Sequence, residues 1–345
     1  MNRAVITIKD IADALGLSTS TVSRALQDSY KISGPVRKRV NDYAKLHNYR
    51  PNLMAQSLKN RKSRCIGVSL SSIPNNFFAE VISGIESVAY EKGYKIILTQ
   101  NFESYQREVT NIEHLSWYAA DGLLVSLSAE TTDLSHIKKV HQNGMPIVFF
   151  DRVSNQIKTH KVVADNRGGA YKATAHLLEQ GFNNIAIISS SKELSMAIER
   201  FEGYEAALAA KGLVPDEAYI KYCPHGEMLL EEVETAIREL LDMGNPPDAI
   251  ITASDRITIN TISILKKFGI RIPDQMAIAG FSNFSSPEII EPALTTIKQP
   301  AFEMGKKAIE LLIHLIESKR PVSRFEKIVL PTELQIRKSS LFPNN

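Results

Sequence analysis

Charge is the first chemistry the sequence offers, and it is unevenly spread. Residues 1–64 of the 345 hold 13 Lys or Arg against four acids, a local charge of +9, whereas 65–345 hold 28 against 34. A basic head on a mildly acidic body points to a polyanion partner for the head alone; a solvated charged face is the plain alternative. Within the head, the hydroxyls of Ser18, Thr19, Ser20, Thr21 and Ser23 cluster next to Arg24. An arginine can donate two hydrogen bonds to guanine O6 and N7. In the body, Asp151, Asp165 and Asp255 would support hydrolysis if two of them were paired, but no spacing brings any two together. No nucleophile–base pair is visible, and GxGxxG after a strand, a P-loop and HExxH are absent. Cys65 and Cys223 lie far apart without CxxC spacing, so neither a disulfide framework nor a cysteine-rich zinc site is expected. The expectation is therefore no enzyme, no metal and no cofactor, in a reducing cytoplasm. The N-terminal stretch MNRAVITIKD has no apolar signal-like region, and no apolar run approaches the roughly 20 residues that span a bilayer.

The elements that must position these residues change character along the chain. At about 150 residues per domain, the length suggests two or three domains. In the head, Ile8, Ile11, Ala12 and Leu15 recur at helical spacing, and Gly16 stops that helix. Ser18 is placed to cap a second helix with Val22, Ala25 and Leu26 on its apolar face. Ser33 is placed to cap a third, with Pro35 in its first turn and Val36, Val40, Tyr43 and Leu46 along one face. Two helices joined by a short Gly-containing turn, with a third in support, describe a helix-turn-helix unit. The second helix puts Thr19, Ser20 and Arg24 opposite its Val22/Leu26 face. Asn52 to Asn60 reads as a two-turn helix too short to persist alone, hence a hinge that orders on binding.

From residue 65 onward, apolar, partly β-branched runs alternate with helical stretches: Cys65–Leu70, Lys95–Thr99, Leu123–Leu127, Pro146–Asp151, Ile185–Ser189, Ala249–Ala253 and Met276–Phe281. Starts about 25–30 residues apart match strand, crossover helix and two loops, which implies parallel sheets covered on both faces. A second series is expected to begin near Lys161–Asp165. Two α/β lobes facing a cleft are the economical reading, with the chain crossing at 165–169 and 294–300.

The segment Ile6 to Leu26, ITIKDIADALGLSTSTVSRAL, closely resembles the headpiece of the lactose/galactose repressor (LacI/GalR) family, and Tyr49 to Leu58, YRPNLMAQSL, resembles its hinge helix. The body adds Phe150-Asp151-Arg152, Asp165-Asn166, Arg200 to Gly203, Ala253 to Asp255, Ile272-Pro273, Gly280 to Asn283 and Pro292 to Ile297, in the family's order and over nearly the whole chain.

The resemblance implies an all-α helix-turn-helix headpiece at 1–50 and a hinge at 51–63. A two-lobed core similar to periplasmic sugar-binding proteins follows, its doubly wound parallel sheets formed by 64–163 with 296–325 and by 164–295 with 326–345. It implies a DNA-binding transcriptional regulator, with repression as the family default. The regulator would be a homodimer on a pseudo-palindromic duplex operator, controlled by a small effector, with a sugar or sugar derivative expected. Thr19 and Ser20 fall at base-reading positions beside Arg24; Thr21, Ser23 and Asn52 are expected at phosphates. Ala55 would face the minor groove and Leu58 would wedge into it. For the effector the resemblance marks Ser71, Phe77, Phe78, Ser126, Asp151, Arg200, His225, Asp255, Asn283 and Gln299, a set suited to a polyol. Phe77 and Phe78 read equally well as core, His225 as an ordinary exposed histidine, and Arg152 as either an orienter of Asp151 or a ligand contact. The alternatives are a transport solute-binding protein, which shares the body but would need an export signal, and an architectural DNA-binding protein whose lobes only dimerise.

Overall fold

The computed structural model describes residues 6–49, 63–118, 120–226 and 228–342. Hinge residues Asn52, Ala55 and Leu58 lie outside the described residues. The chain divides into two units, Met1–Ser63 and Arg64–Asn345.

The head unit contains helices α1 (Ile8–Leu15), α2 (Thr19–Leu26) and α3 (Gly34–Leu46). Reciprocal bonds start α1: the Thr7 hydroxyl accepts the Asp10 amide at 3.3 Å, and the Asp10 carboxylate accepts the Thr7 amide at 2.8 Å. Such a capping box satisfies two amides that no helical carbonyl can reach. Gly16, at φ +63°, ends α1 in the left-handed region. Ser18 caps α2 through the Thr21 amide at 3.1 Å. Ser33 occupies the cap position of α3, but its hydroxyl makes no cap bond. Ile11, Ala12, Val22, Ala25, Val40 and Ala44 form the small core. Leu46, expected on that face, is 75% exposed; six residues past Val40, it has turned about 120° away from the buried stripe.

The body contains β1 (Cys65–Leu70), α4 (Asn76–Glu91), β2 (Lys95–Gln100), α5 (Tyr105–Tyr118), β3 (Gly122–Val125), α6 (Ser135–Gln142), β4 (Ile147–Phe150) and β5 (Lys161–Ala164). There follow α7 (Asn166–Glu179), β6 (Ile185–Ser189), α8 (Ser195–Ala210), β7 (Ile220–Tyr222), α9 (Leu230–Leu241), β8 (Ala249–Thr252), α10 (Asp255–Lys267) and β9 (Ala277–Phe281). The chain closes with β10 (Thr295–Lys298), α11 (Ala301–Glu317), β11 (Lys327–Leu330) and β12 (Glu333–Gln335). One six-stranded sheet has the order β11-β5-β4-β3-β1-β2 and the other β12-β10-β9-β8-β6-β7. Every pairing is parallel except β10 with β12. Strands β3, β4, β6, β8 and β9 are buried along their whole length, as strands covered on both faces must be. No helix among the described residues is long and apolar enough to cross a membrane.

The strand pairings correct the expected lobe boundaries. Lys161–Ala164 does not begin a second series: β5 pairs with β4, Phe150 opposite Val162, and belongs to the first sheet. Strand β10 lies in the second sheet beside β9, so residues 296–298 belong to the second lobe and the crossing back falls at 299–300. Strand β11 pairs with β5, which keeps residues 326–330 in the first lobe and puts the last crossing at 331–332. The chain thus passes between the lobes three times, in short connections beside the cleft.

Candidate functional site

In the head, the cap at Ser18 sets what α2 presents. Thr19, Ser20 and Arg24 are exposed, opposite buried Val22 and Ala25. The Ser18 hydroxyl also meets the Ser20 and Thr21 hydroxyls at 2.9 and 2.8 Å, which holds the first turn's polar groups together. Thr21 and Ser23 are half-buried. Asp28, the acid just beyond α2, is paired with Arg37 at 3.2 Å, so the exposed helix face keeps a positive character.

In the body, the candidate residues converge at the carboxyl ends of both sheets, where open α/β sheets place their ligands. Asp151 follows the last residue of β4, buried and at φ +57°. Burial pushes its carboxyl pKa up, while Arg152 and Arg200 pull it down. Arg200 comes from α8 in the other lobe. Gly203, one turn later, makes this placement possible: a Cβ there would meet the Arg167 carbonyl of α7 at 2.2 Å. The two helices therefore approach closely enough for Arg200 Nε to donate to Asn166 Oδ1 at 3.0 Å. Arg200 also donates to the Ala253 carbonyl and lies over the Phe281 ring, 3.8 Å from its centroid. Its 1% exposure makes it the largest fully buried side chain.

Asp255 is the first residue of α10, behind the Ser254 cap. Burial raises its carboxyl pKa; the Ser282 hydroxyl, which donates to Oδ1, and the Phe77 and Asn283 amides oppose that rise. Phe77 belongs to the first lobe and Asn283 to the second, so Asp255 sits where the lobes meet. Its Oδ2 completes no hydrogen bond among the described residues. Asn283 donates to Glu80 of α4 at 2.9 Å and to the Gln299 carbonyl at 2.9 Å, while the Gln299 amide donates to Asn283 Oδ1 at 3.1 Å. The side-chain oxygens of Ser71 and Ser126 and the Gln299 Nε2 are buried without hydrogen-bond partners among the described residues. Buried polar atoms left unpaired are costly, and the four named here, which all follow strands at the carboxyl ends of the sheets, are groups that a polar ligand between the lobes could meet.

Three readings that the sequence left open gain specific contacts. The side chains of Phe77 and Phe78 pack in the first lobe's apolar cluster, Phe78 edge-on to Phe150 at 6.5 Å. Only the backbone of Phe77 faces the acid across the cleft. Arg152 is gripped by Glu103 at 2.6 and 2.8 Å and stands 3.9 Å from Asp151, so it supports that acid. His225 is 39% exposed and bridges the lobes, 3.3 Å from Glu130 and 3.1 Å from Glu232. Beside that bridge, Ala129 of the first lobe packs with Leu194, Met196 and Ala197 of the second. Asp165, which entered the hydrolase alternative, accepts the Gly168 amide at 2.9 Å as the cap of α7. Sequence reasoning missed Glu80, Glu103 and Glu130, whose partners lie 203, 49 and 95 residues away. No group of three His, Cys, Asp or Glu among the described residues is placed to hold a metal ion.

Residues 63–337 match the family described as periplasmic binding proteins and sugar binding domain of LacI family, and residues 7–52 match bacterial regulatory proteins, lacI family. The chain is 32% identical over 313 residues to the HTH-type transcriptional repressor PurR of Vibrio atlanticus, covering 91% of this chain and 92% of that protein. It is 33% identical over 307 residues to the HTH-type transcriptional repressor CytR of Escherichia coli K12, covering 89% of each. Among solved structures, it resembles a transcriptional regulator CelR–cellobiose complex at TM-score 0.71 and 28% identity, over 97% of this chain and 99% of that one. The lac repressor dimer bound to operator and the anti-inducer ONPF shares the fold at TM-score 0.83 and 22% identity, over 98% and 100%. With both parts of the chain matched in order, this protein belongs to the LacI family of bacterial transcriptional regulators.

Proposed function

We propose that this chain represses transcription as a homodimer on a pseudo-palindromic operator, and that a small effector held between the lobes sets its affinity for DNA. The observation that carries the reading is one chain with two unlike polar sites. Thr19, Ser20 and Arg24 are solvated on a basic helix-turn-helix, whereas Asp151, Arg200 and Asp255 are buried, as are the Ser71 and Ser126 hydroxyls, which have no hydrogen-bond partner among the described residues. A recognition helix enters the major groove with its N-terminal residues at base edges, and a twofold dimer fits two half-sites. A sugar or sugar derivative is the expected effector, since hydroxyls exchange hydrogen bonds with carboxylates, amides and serines. Such a regulator works in the cytoplasm beside its DNA and needs neither catalytic residues nor a cofactor. A solute-binding protein would share the lobes but have no use for the head.

The effector shifts the lobes between two arrangements and so changes the spacing at which the two heads reach their half-sites. A coupling of about 1–3 kcal/mol is enough. Hydrogen exchange across residues 52–60 tests this: protection rises with operator, and equal protection with and without DNA contradicts it. Leu58→Ala is expected to weaken operator binding while leaving effector affinity nearly unchanged, and unaltered operator affinity contradicts the wedge.

A further inference from the structure

We infer that the end of the first lobe away from the cleft, where its strands begin, is a second DNA-contacting surface that meets backbone phosphates without reading sequence. This rests on the reading of the chain as a DNA-binding regulator, and it adds a surface of the body to the contacts of the head.

The acidic average of the body hides this end. The strands of the first sheet start at Lys95, Cys65, Gly122, Ile147, Lys161 and Lys327, side by side in the order β2-β1-β3-β4-β5-β11. At about 4.8 Å per strand, the row is roughly 24 Å wide. The stretches that lead into those strands, 63–65, 91–95, 118–122, 142–147, 158–161 and 317–327, hold nine Lys or Arg against four acids. The rest of residues 65–345 hold 20 against 30. At the same end of the second lobe, residues 179–185, 210–220, 241–249, 267–277, 292–295 and 335–342 hold five against six. The positive end therefore belongs to one lobe and not to the fold as such.

Most of this charge is unspent. Lys92, Lys95, Lys158, Lys319, Arg320 and Arg324 are exposed and join no ion pair among the described residues. The other three cations are engaged: Arg64 with Glu317 at 3.2 Å, Lys327 with Glu199 at 3.0 Å, and buried Lys161 with the Ile157 and Thr159 carbonyls. Two of the four acids are engaged as well, since Glu317 holds Arg64 and Asp121 accepts the Arg64 amide at 2.9 Å. Helix C-termini favour cations within their last turn, which accounts for Lys92 beside the end of α4 and Lys319 beside the end of α11. It does not account for Lys95, Lys158 or Arg324. Exposed charges of one sign repel one another, so gathering them at one end favours a polyanion there. Two of the connections also share a surface: Lys319 and Arg320 line a groove of about 350 Å³ with His141 and Met145.

The attachment of the chain selects DNA as that polyanion. The polypeptide from the head enters the body at this end, at Arg64, the residue before β1. Residues 50–62, between the described parts of the head and the body, reach no further than about 45 Å when fully extended. Phosphates of a duplex held by the head are therefore present at high effective concentration for this end of the lobe. Phosphate contacts position a protein on the duplex but carry no sequence information.

The test compares the full chain with its Lys319→Gln/Arg320→Gln/Arg324→Gln variant. Each binds a duplex that the parent chain has selected from a random pool and a random-sequence duplex of equal length, over a series of KCl concentrations. Each phosphate contact contributes about 0.9 to the slope of log K against log salt, so six cations lost per dimer should flatten the slope by about 2–5. Affinity near 0.1 M salt should fall at least tenfold on both duplexes, with the ratio between them unchanged. The charge-keeping variant Lys319→Arg/Arg320→Lys/Arg324→Lys should retain the parent slope, and Lys95→Gln/Lys158→Gln should flatten it independently if the triple variant does not fold. An unchanged slope overturns the inference, including where the melting temperature falls because the cations only support helix ends, or where the face takes an acidic protein instead. A parent chain that prefers the selected duplex while the variant keeps the parent slope removes this inference alone. A parent chain with no such preference removes the reading of the head, and this inference with it.

Discussion

In the head, Thr19, Ser20 and Arg24 stand in solvent on a helix supported by a core of six buried apolar side chains. In the body, Asp151, Arg200 and Asp255 lie beneath the surface between two six-stranded sheets, each held by partners from more than one element. The difference separates two kinds of functional residue. A solvated reading residue costs the fold little, so its replacement should change affinity alone. A buried charged residue is part of the fold's electrostatics, so its replacement should move binding and stability together.

The largest break of that contrast is Arg200→Ala. It removes the donor to Asn166 Oδ1 and the Ala253 carbonyl and leaves Arg152 alone to offset the burial of Asp151. Each buried hydrogen bond from a charged group is worth about 1.5–3 kcal/mol, so denaturant unfolding of the body should shift by about 3–6 kcal/mol and effector binding should vanish. Stability equal to the parent protein would show that Arg200 is not tied into the cleft as described. Next comes Arg24→Ala, expected to weaken operator binding by about 1–3 kcal/mol and to relax specificity at one base pair. The unfolding of the body should not change. A fall in body stability would end the separation between the two regions.

Asp255→Asn sharpens the comparison from the other side. Burial raises the folded-state pKa of Asp255, so its ionisation costs stability at pH values above that pKa. The cost fades as pH falls toward the unfolded value. The neutral amide should therefore raise the melting temperature of the ligand-free protein by about 2 °C near pH 7, with the gain disappearing near pH 4 and effector binding lost at both. Equal melting temperatures near pH 7 would mean that the buried charge is fully compensated. The smallest effect belongs to His225. Burial lowers its pKa, but Glu232 and Glu130 together outweigh burial and raise it above 6.5. The bridge between the lobes is then strongest below about pH 6.5 and is lost as pH rises through the folded-state pKa. A modest decline in effector affinity over that window should flatten in His225→Gln, and identical pH profiles would remove the bridge from the closure.

The head was readable residue by residue because its signals are local. Gly16, the Ser18 cap and the Val22/Ala25 face all act within one turn; Leu46 was misplaced by extending a periodic pattern one step too far, and Ser33 takes the cap position without making the cap bond its residue type suggested. The buried strands of the body were legible as apolar runs because both of their faces are covered. Strands β7, β10, β11 and β12 were not. They are three or four residues long, and β11 and β12 pair with segments 35 or more residues away. Asp151, Arg200 and Asp255 stood inside motifs; Arg200 lies close enough to act on the Asp151 carboxyl, and Asp255 sits where the lobes meet. Their supports did not show themselves: Glu103 with Arg152, Glu80 with Asn283 and Glu130 with His225 are joined by topology, and no periodicity records them. Phe77 and Phe78 were ambiguous because an apolar pair at a helix start reads alike as pocket wall or core. Their packing against the Phe150 cluster resolves both side chains as core.

The most direct measurement is a titration of the full chain against a duplex that the protein itself has selected from a random pool, with and without each of a panel of neutral sugars. A preference for that duplex over random competitor, changed about 5–150-fold by at least one of the sugars, is the predicted result. Binding that never distinguishes the selected duplex from competitor, whatever compound is present, would contradict the coupling of a DNA-reading head to a ligand-holding body.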